Sequence, residues 1–203
     1  MTLFSITNYF LEHWLEIAGV VTTLLGIGLT TWRKLACWPV VLVSDIIYLI
    51  VFYRARLFSD ALLQISFLAF TFYGWWYWWR GVREDGEVRV VRLGFSAMFT
   101  GIVAGIIGSI LLGAWMKHIG AALPYIDASL ASYSLVASWW AARKHIANWW
   151  LWIAVDVVYI GEYIYKNLWP TAILYAVLVV LAVLGLLLWR RAAQQSEASQ
   201  IAA

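Results

Sequence analysis

Two aspartates sit in the middle of unbroken apolar stretches. Asp45 lies in WPVVLVSDIIYLIVFY and Asp156 in WWLWIAVDVVYIGEY. Read as membrane-spanning helices with a 1.5 Å rise per residue, both runs put the acid near the bilayer centre. A carboxylate there costs at least ~2.5–3.5 kcal/mol on insertion scales. It must therefore face a cavity or a partner. Such a group can bind a cation or hydrogen-bond a polar substrate. A protonated or paired acid can equally lock helices together.

The neighbours of Asp156 share its face. Trp149, Trp152, Asp156 and Tyr159 follow one another at spacings of three, four and three, which is a single helical stripe. Trp38, Asp45 and Tyr48 make the matching stripe in the earlier run. Carboxylates among aromatic rings form a slot for a flat, cationic or polar ring. The competing reading, tryptophans as an interface belt, is assigned to Trp38, Trp75, Trp76, Trp78, Trp79, Trp169 and Trp189.

Other polar groups carry two readings each. Glu16 and Asp127 lie near the outer starts of helices, as site groups or as acids favoured by the helix dipole. Glu162 lines the outer mouth or snorkels to the interface. Gln64 and Asn148 are amides able to donate and accept at once, as ligand contacts or interhelical glue. Ser132, Ser134 and Ser138 read as groups that satisfy backbone or allow close packing. Pro39 and Pro124 read as helix-start prolines. Gly101 and Gly105 read as a small-residue contact between helices or subunits.

The elements that must hold these residues follow from composition. Of 203 residues, 64% are hydrophobic and only 12% are charged. A soluble domain has about half apolar and a quarter charged residues, so a soluble enzyme is excluded. Seven apolar runs can be placed, at about 14–32, 35–53, 59–79, 91–115, 124–142, 146–165 and 170–189. They are continuous instead of alternating, which disfavours a β-barrel. The expected organisation is an N-terminal segment 1–13, a three-helix repeat 14–79 and a loop 80–92. A linker helix 93–115, a second three-helix repeat 124–189 and a tail 190–203 complete it. The tail, polar and small after Arg191, is expected to be disordered. No Lys or Arg precedes the first apolar run and no small-residue cleavage site follows it, so no signal peptide is read.

Ten basic residues fall on one side of seven spans: Arg33, Lys34, Arg80, Arg83, Arg89, Arg92, Arg143, Lys144, Arg190 and Arg191. Four fall on the other: Arg54, Arg56, Lys117 and Lys166. The first side is then cytoplasmic, with the N-terminus outside and the C-terminus inside. The basic residues form no single face, so nucleic acid is not a partner.

Sliding the chain by 111 residues against itself aligns Glu16 with Asp127, Thr23 with Ser134 and Arg33 with Lys144. It also aligns Trp38 with Trp149, Asp45 with Asp156, Tyr48 with Tyr159, Leu57 with Leu168 and Phe58 with Trp169. Acids number only 11, so acid on acid is informative. Helices 1–3 and 5–7 are read as a duplication. Helix 4, crossing once more, makes the two units parallel, a known transporter plan. Cys37 is the sole cysteine, which excludes disulfides within the chain and cysteine-based metal sites. There is no phosphate-binding GxxxxGK[ST], no HExxH and no nucleophile–base set, so no catalytic residue, cofactor or metal is expected.

Two stretches carry a family resemblance. SDALLQISFLAFTFYGWWYWW (59–79) resembles the third-helix signature of the PnuC vitamin transporters, a Gln followed some nine residues later by Tyr-Gly-Trp. ARKHIANWWLWIAVDVVYIGEYIYK (142–166) resembles that family's Arg-Lys…Asn-Trp-x-x-Trp segment. The likeness runs from about Glu16 to Trp189. It implies a bacterial inner-membrane protein with a SWEET-like fold that carries nicotinamide riboside, thiamine, riboflavin or a deoxynucleoside. It implies facilitated diffusion, trapping by a cytosolic kinase, and in some members a homotrimer. Carried over by motif, the ligand contacts are Gln64, Tyr73, Asn148, Trp149 and Trp152, with Asp156 central. Some members that carry nicotinamide riboside have Asn at the positions matching Ser44 and Asp156. The acids here favour a flat aromatic cation, nicotinamide riboside first and thiamine second. Coupling to protons through Asp45 and Asp156, and a non-transporting membrane subunit, are the other readings.

Overall fold

The computed structural model describes residues 3–54, 58–81, 88–120, 123–165 and 167–201. Arg56, Leu57, Arg83 and Lys166, used above, lie outside them. Seven helices follow in order: α1 Leu3–Thr31, α2 Cys37–Arg54, α3 Phe58–Trp79, α4 Phe95–His118, α5 Pro124–Ala142, α6 Asn148–Tyr165 and α7 Trp169–Ile201. Four of them, α1, α2, α4 and α7, contain stretches long and apolar enough to cross a membrane by length and composition. The other three are of spanning length but carry the Trp, Tyr, Ser and acidic residues that lower mean hydropathy.

α1 packs on α2 and α2 on α3; α5 packs on α6 and α6 on α7. The two triplets close on each other through α3 against α5 and α1 against α7. These two seams exchange under the 111-residue shift, so six helices form a ring with pseudo-twofold symmetry. α4 stands outside it, against α5.

The symmetry reaches the backbone. Arg33 and Lys144, 111 residues apart, are both left-handed, with φ of 58° and 65°. Around Arg33, Lys34 N–H donates to Leu29 O, Cys37 N–H to Lys34 O and Trp38 N–H to Leu35 O. Around Lys144, His145 N–H donates to Trp140 O, Asn148 N–H to His145 O and Trp149 N–H to Ile146 O. Each partner is the other's shifted by 111. This left-handed turn explains why α2 and α6 begin at Cys37 and Asn148, two residues later than apolarity alone suggests.

Three helix ends differ from expectation. α1 starts at Leu3, since neither Pro nor Gly interrupts the chain before Gly19. α4 starts at Phe95, and Val91, expected to begin the run, is paired elsewhere. Val88 and Val90 are buried in the core, and Val91 pairs with the α5–α6 turn, donating to Lys144 O and accepting from Ile146 N–H. The tail beyond Arg191 is helical through Ile201, not disordered. It lacks Gly and Pro, and Ala192 and Ala193 are buried in the same core.

The α4 glycines settle against α5. A Cβ on Gly101 would lie 2.6 Å from Trp140, and one on Gly105 would overlap Tyr133. The small face is therefore a contact within the chain. Gly74 and Gly185, again 111 apart, have the same purpose: a Cβ on Gly74 would overlap the Trp38 indole, and one on Gly185 would lie 2.5 Å from Trp149. Gly74→Ala is expected to destabilise the purified protein by about 1–3 kcal/mol. Gly28→Ala, with nothing within 4 Å of the new methyl, is expected to leave thermal unfolding unchanged or raised. Equal midpoints for the two variants would refute this packing.

Candidate functional site

Asp45 is the ninth residue of the 18-residue α2, and Asp156 the ninth of the 18-residue α6. The pseudo-twofold therefore sets both at the same height in the ring. Three layers stack along the axis: a tryptophan cluster at the end bearing the α1–α2 and α5–α6 turns, the acids at mid-height, and tyrosines beyond.

In the tryptophan layer, Trp38 meets Trp78 edge-to-face at 5.2 Å and 86°, and Trp149 meets Trp189 at 5.4 Å and 89°. Trp78 and Trp189 touch across the axis at 5.8 Å. Each then crosses to the other half. Trp78 Nε1–H donates to Ala141 O at the end of α5, and Trp189 Nε1–H to Thr30 O near the end of α1, both at 3.1 Å. Trp38, Trp78 and Trp189 are thus core residues, not interface belt; their rings find apolar partners inside the ring of helices. Trp76, Trp79 and Trp169 are exposed, as a belt requires. Trp149 is 2% exposed, its indole N–H without a partner.

Around this layer, Asn148 Nδ2–H donates to His145 O at 2.6 Å, while its buried Oδ1 has no partner. Tyr73 also belongs to this end: its hydroxyl accepts from Arg143 Nη1 at 2.9 Å, and its ring stacks on Tyr77. Burial, then the neighbouring Arg143 guanidinium, push the His145 imidazole below its usual range. Burial lowers the Lys144 ammonium, which lies over the Tyr77 ring.

At mid-height the halves differ. Asp45 Oδ2 accepts from Thr71 Oγ1 at 2.7 Å. Asp156 is 4% exposed, and no donor among the described residues bonds to it. Thr71 shifted by 111 is Ala182. Ser44, bonded to Thr23 at 2.6 Å, has Val155 as its counterpart. Trp152, half-buried one turn from Asp156, packs against the tryptophan cluster and stands where the first half has Val41. Gln64 is half-buried on α3, two turns before Thr71 on the same face.

Beyond the acids lie Tyr48 and Tyr159, again a repeat pair. Tyr159, Tyr163 and Tyr175 form a triangle of rings 4.8–5.8 Å apart. Glu16 lies on α1, and Asp127 in the first turn of α5. Asp45 and Tyr48, and Asp156 and Tyr159, are thus brought to the mid and far layers, while Trp149 and Tyr73 lie in the tryptophan layer. Thr71, Tyr175, Trp78 and Trp189 were missed by pattern reading. Tryptophan on tryptophan at 78 and 189, and glycine on glycine at 74 and 185, are signals that the 111-residue shift offers.

A ring of apolar helices that holds acids at mid-height, closed at one end by packed indoles, defines a membrane solute carrier. The family described as nicotinamide mononucleotide transporter matches residues 13–191, and the chain belongs to that family. Its relatives include the nicotinamide riboside transporter PnuC of Escherichia coli, 24% identical over 90% of this chain and 87% of that one. The riboflavin/roseoflavin transporter RibM of Streptomyces davaonensis is 28% identical over 71% and 70%. The crystal structure of the vitamin B3 transporter PnuC superposes with a TM-score of 0.77 at 22% identity, covering 94% of this chain and 86% of that one, which shows the same fold.

The crossed indole bonds make a measurable claim. Trp78→Phe and Trp189→Phe each remove one N–H bond and part of a ring, at about 1–3 kcal/mol each. Similar losses are expected in thermal unfolding of the purified protein. A variant at either position with a wild-type midpoint would contradict the reciprocal arrangement.

Proposed function

We propose that the protein carries a vitamin precursor across the membrane, with nicotinamide riboside as the substrate that best fits the chemistry of the site. One observation carries the proposal: Asp156 is buried at mid-height without a bonded donor, on the stripe that holds Trp149 and Trp152. A buried carboxylate with no internal partner is costly unless a ligand supplies one. A flat aromatic cation supplies both the charge and a face for Trp152. Asp156 balances the charge, Trp152 and Trp149 border the ring, and Asn148 Oδ1 and Gln64 take polar groups. Asp45, Tyr48, Tyr159 and Asp127 shape the approach, and Tyr73 positions Arg143 at the turn end.

The named substrates of the relatives support the vitamin class. Thiamine, also a flat cation, is the second choice on chemistry. RibM supports riboflavin as the alternative, although an uncharged ring gains less from Asp156. Transport is by facilitated diffusion, with phosphorylation by a cytosolic kinase trapping the product. The protein sits in a bacterial inner membrane with its N-terminus outside and its C-terminus in the cytoplasm. The apolar outer face of α4, where Phe95, Phe99, Ile106 and Leu111 are exposed, fits lipid or the neighbouring copies of a homotrimer.

Thermal unfolding with nicotinamide riboside, thiamine, riboflavin and a deoxynucleoside tests this reading. A ligand at 100 times its dissociation constant stabilises the folded state by ~2.7 kcal/mol. Nicotinamide riboside is expected to give the largest shift, and Asp156→Asn to abolish most of it. A shift from riboflavin alone would replace the substrate. No shift from any of the four, in protein that unfolds cooperatively, would contradict the vitamin reading.

A further inference from the structure

The two acids are related by the repeat but not by their surroundings. Asp45 is held by the Thr71 hydroxyl at 2.7 Å, and Thr71 is itself buried. The Thr23–Ser44 pair of the first half is likewise satisfied internally. Thr23 and Ser44 bond to each other, and Ser44 also reaches Gly19 O at 3.4 Å. In the second half, Ala182 replaces Thr71 and Val155 replaces Ser44. Asp156 keeps both oxygens uncommitted among the described residues. The ring with which a cation would stack, Trp152, is on the same helix, and its counterpart Val41 is aliphatic.

We propose that the Thr71/Ala182 pair gives the site its polarity: Thr71 commits Asp45 internally, and Ala182 leaves Asp156 open, so that the positive end of a singly charged ligand is bound by the second half. Thr71 is then a positioning residue that acts through Asp45, and Ala182 is a specificity-determining residue by what it omits. A hydroxyl donated to one carboxylate oxygen spreads its charge and fixes its rotamer. That carboxylate then competes poorly for a mobile cation. The uncommitted one gains a full charge-assisted partner on binding. This inference rests on the proposed cationic substrate.

The test compares the two acids in two backgrounds, with nicotinamide riboside as the probe and dissociation constants as the readout. In the native background, Asp156→Asn is expected to weaken binding by about thirtyfold and Asp45→Asn by about threefold, the scale of one charge-assisted bond. In the exchanged background, Thr71→Ala with Ala182→Thr, Asp156 receives the hydroxyl and Asp45 is released. The two penalties are then expected to converge within about threefold. Thr71→Ser, which keeps the hydroxyl, is expected to retain the native ratio, and this separates positioning from packing. A native ratio near one, or a ratio unchanged by the exchange, overturns the proposal. If the exchanged protein does not fold, Ala182→Thr alone decides: it must weaken native binding at least about fivefold, and unaltered affinity overturns the proposal. Absence of nicotinamide riboside binding by the native protein counts against the substrate reading and is recognised before any variant is compared.

Discussion

Each half of this protein completes the other. The last turn of a helix leaves carbonyls that no residue of the same helix can satisfy, and inside a membrane water is a poor substitute. Trp78 and Trp189 contribute across the axis, each donating its indole N–H near the end of the opposite half's first helix. The donors must be level with those carbonyls, so the two triplets are fixed in height and rotation. The indoles must also pack, so Gly74 and Gly185 have to lack side chains beneath Trp38 and Trp149. The α5–α6 turn is braced further by Val91 of the linker stretch. Asp45 and Asp156 owe their common height to this reciprocal arrangement.

On a symmetric frame, chemistry arises where the symmetry fails. The first half spends its polar side chains on one another, through Thr23 with Ser44 and Thr71 with Asp45. The second half replaces two of those groups by Val155 and Ala182, and adds Trp152 and Asn148. A buried, uncommitted carboxylate is costly, and in the proposed reading the ligand offsets that cost. On that reading, the same division gives an internally bonded half and a binding half.

Much of this was legible in the sequence. Seven apolar runs, the 111-residue shift and the two mid-helix acids follow from hydropathy and rare residue types, which tertiary contacts do not alter. The likeness to PnuC transporters was also carried by local motifs. The fate of the tryptophans was not legible. A tryptophan at or next to a helix end reads as an interface anchor whether it faces lipid or the axis, and only packing distinguishes Trp78 from Trp79. The helical tail was missed because its polar composition suggests solvent, although Ala192 and Ala193 give it an apolar contact. The Thr71–Asp45 bond joins two helices whose relative rotation no periodicity specifies. Where α4 begins turned on the stretch before it, in which Val88 and Val90 are buried in the core and Val91 pairs with the α5–α6 turn.

The central claim is that a positive charge on the ligand is bound by a buried carboxylate. It is tested most directly with two ligands of nearly one shape: nicotinamide riboside and its reduced, uncharged dihydro form. Binding to the purified protein should favour the cation by at least about tenfold, the worth of one charge-assisted contact. Equal affinity for the two would contradict the account, because the site would then recognise shape and hydrogen bonds without using the charge of Asp156.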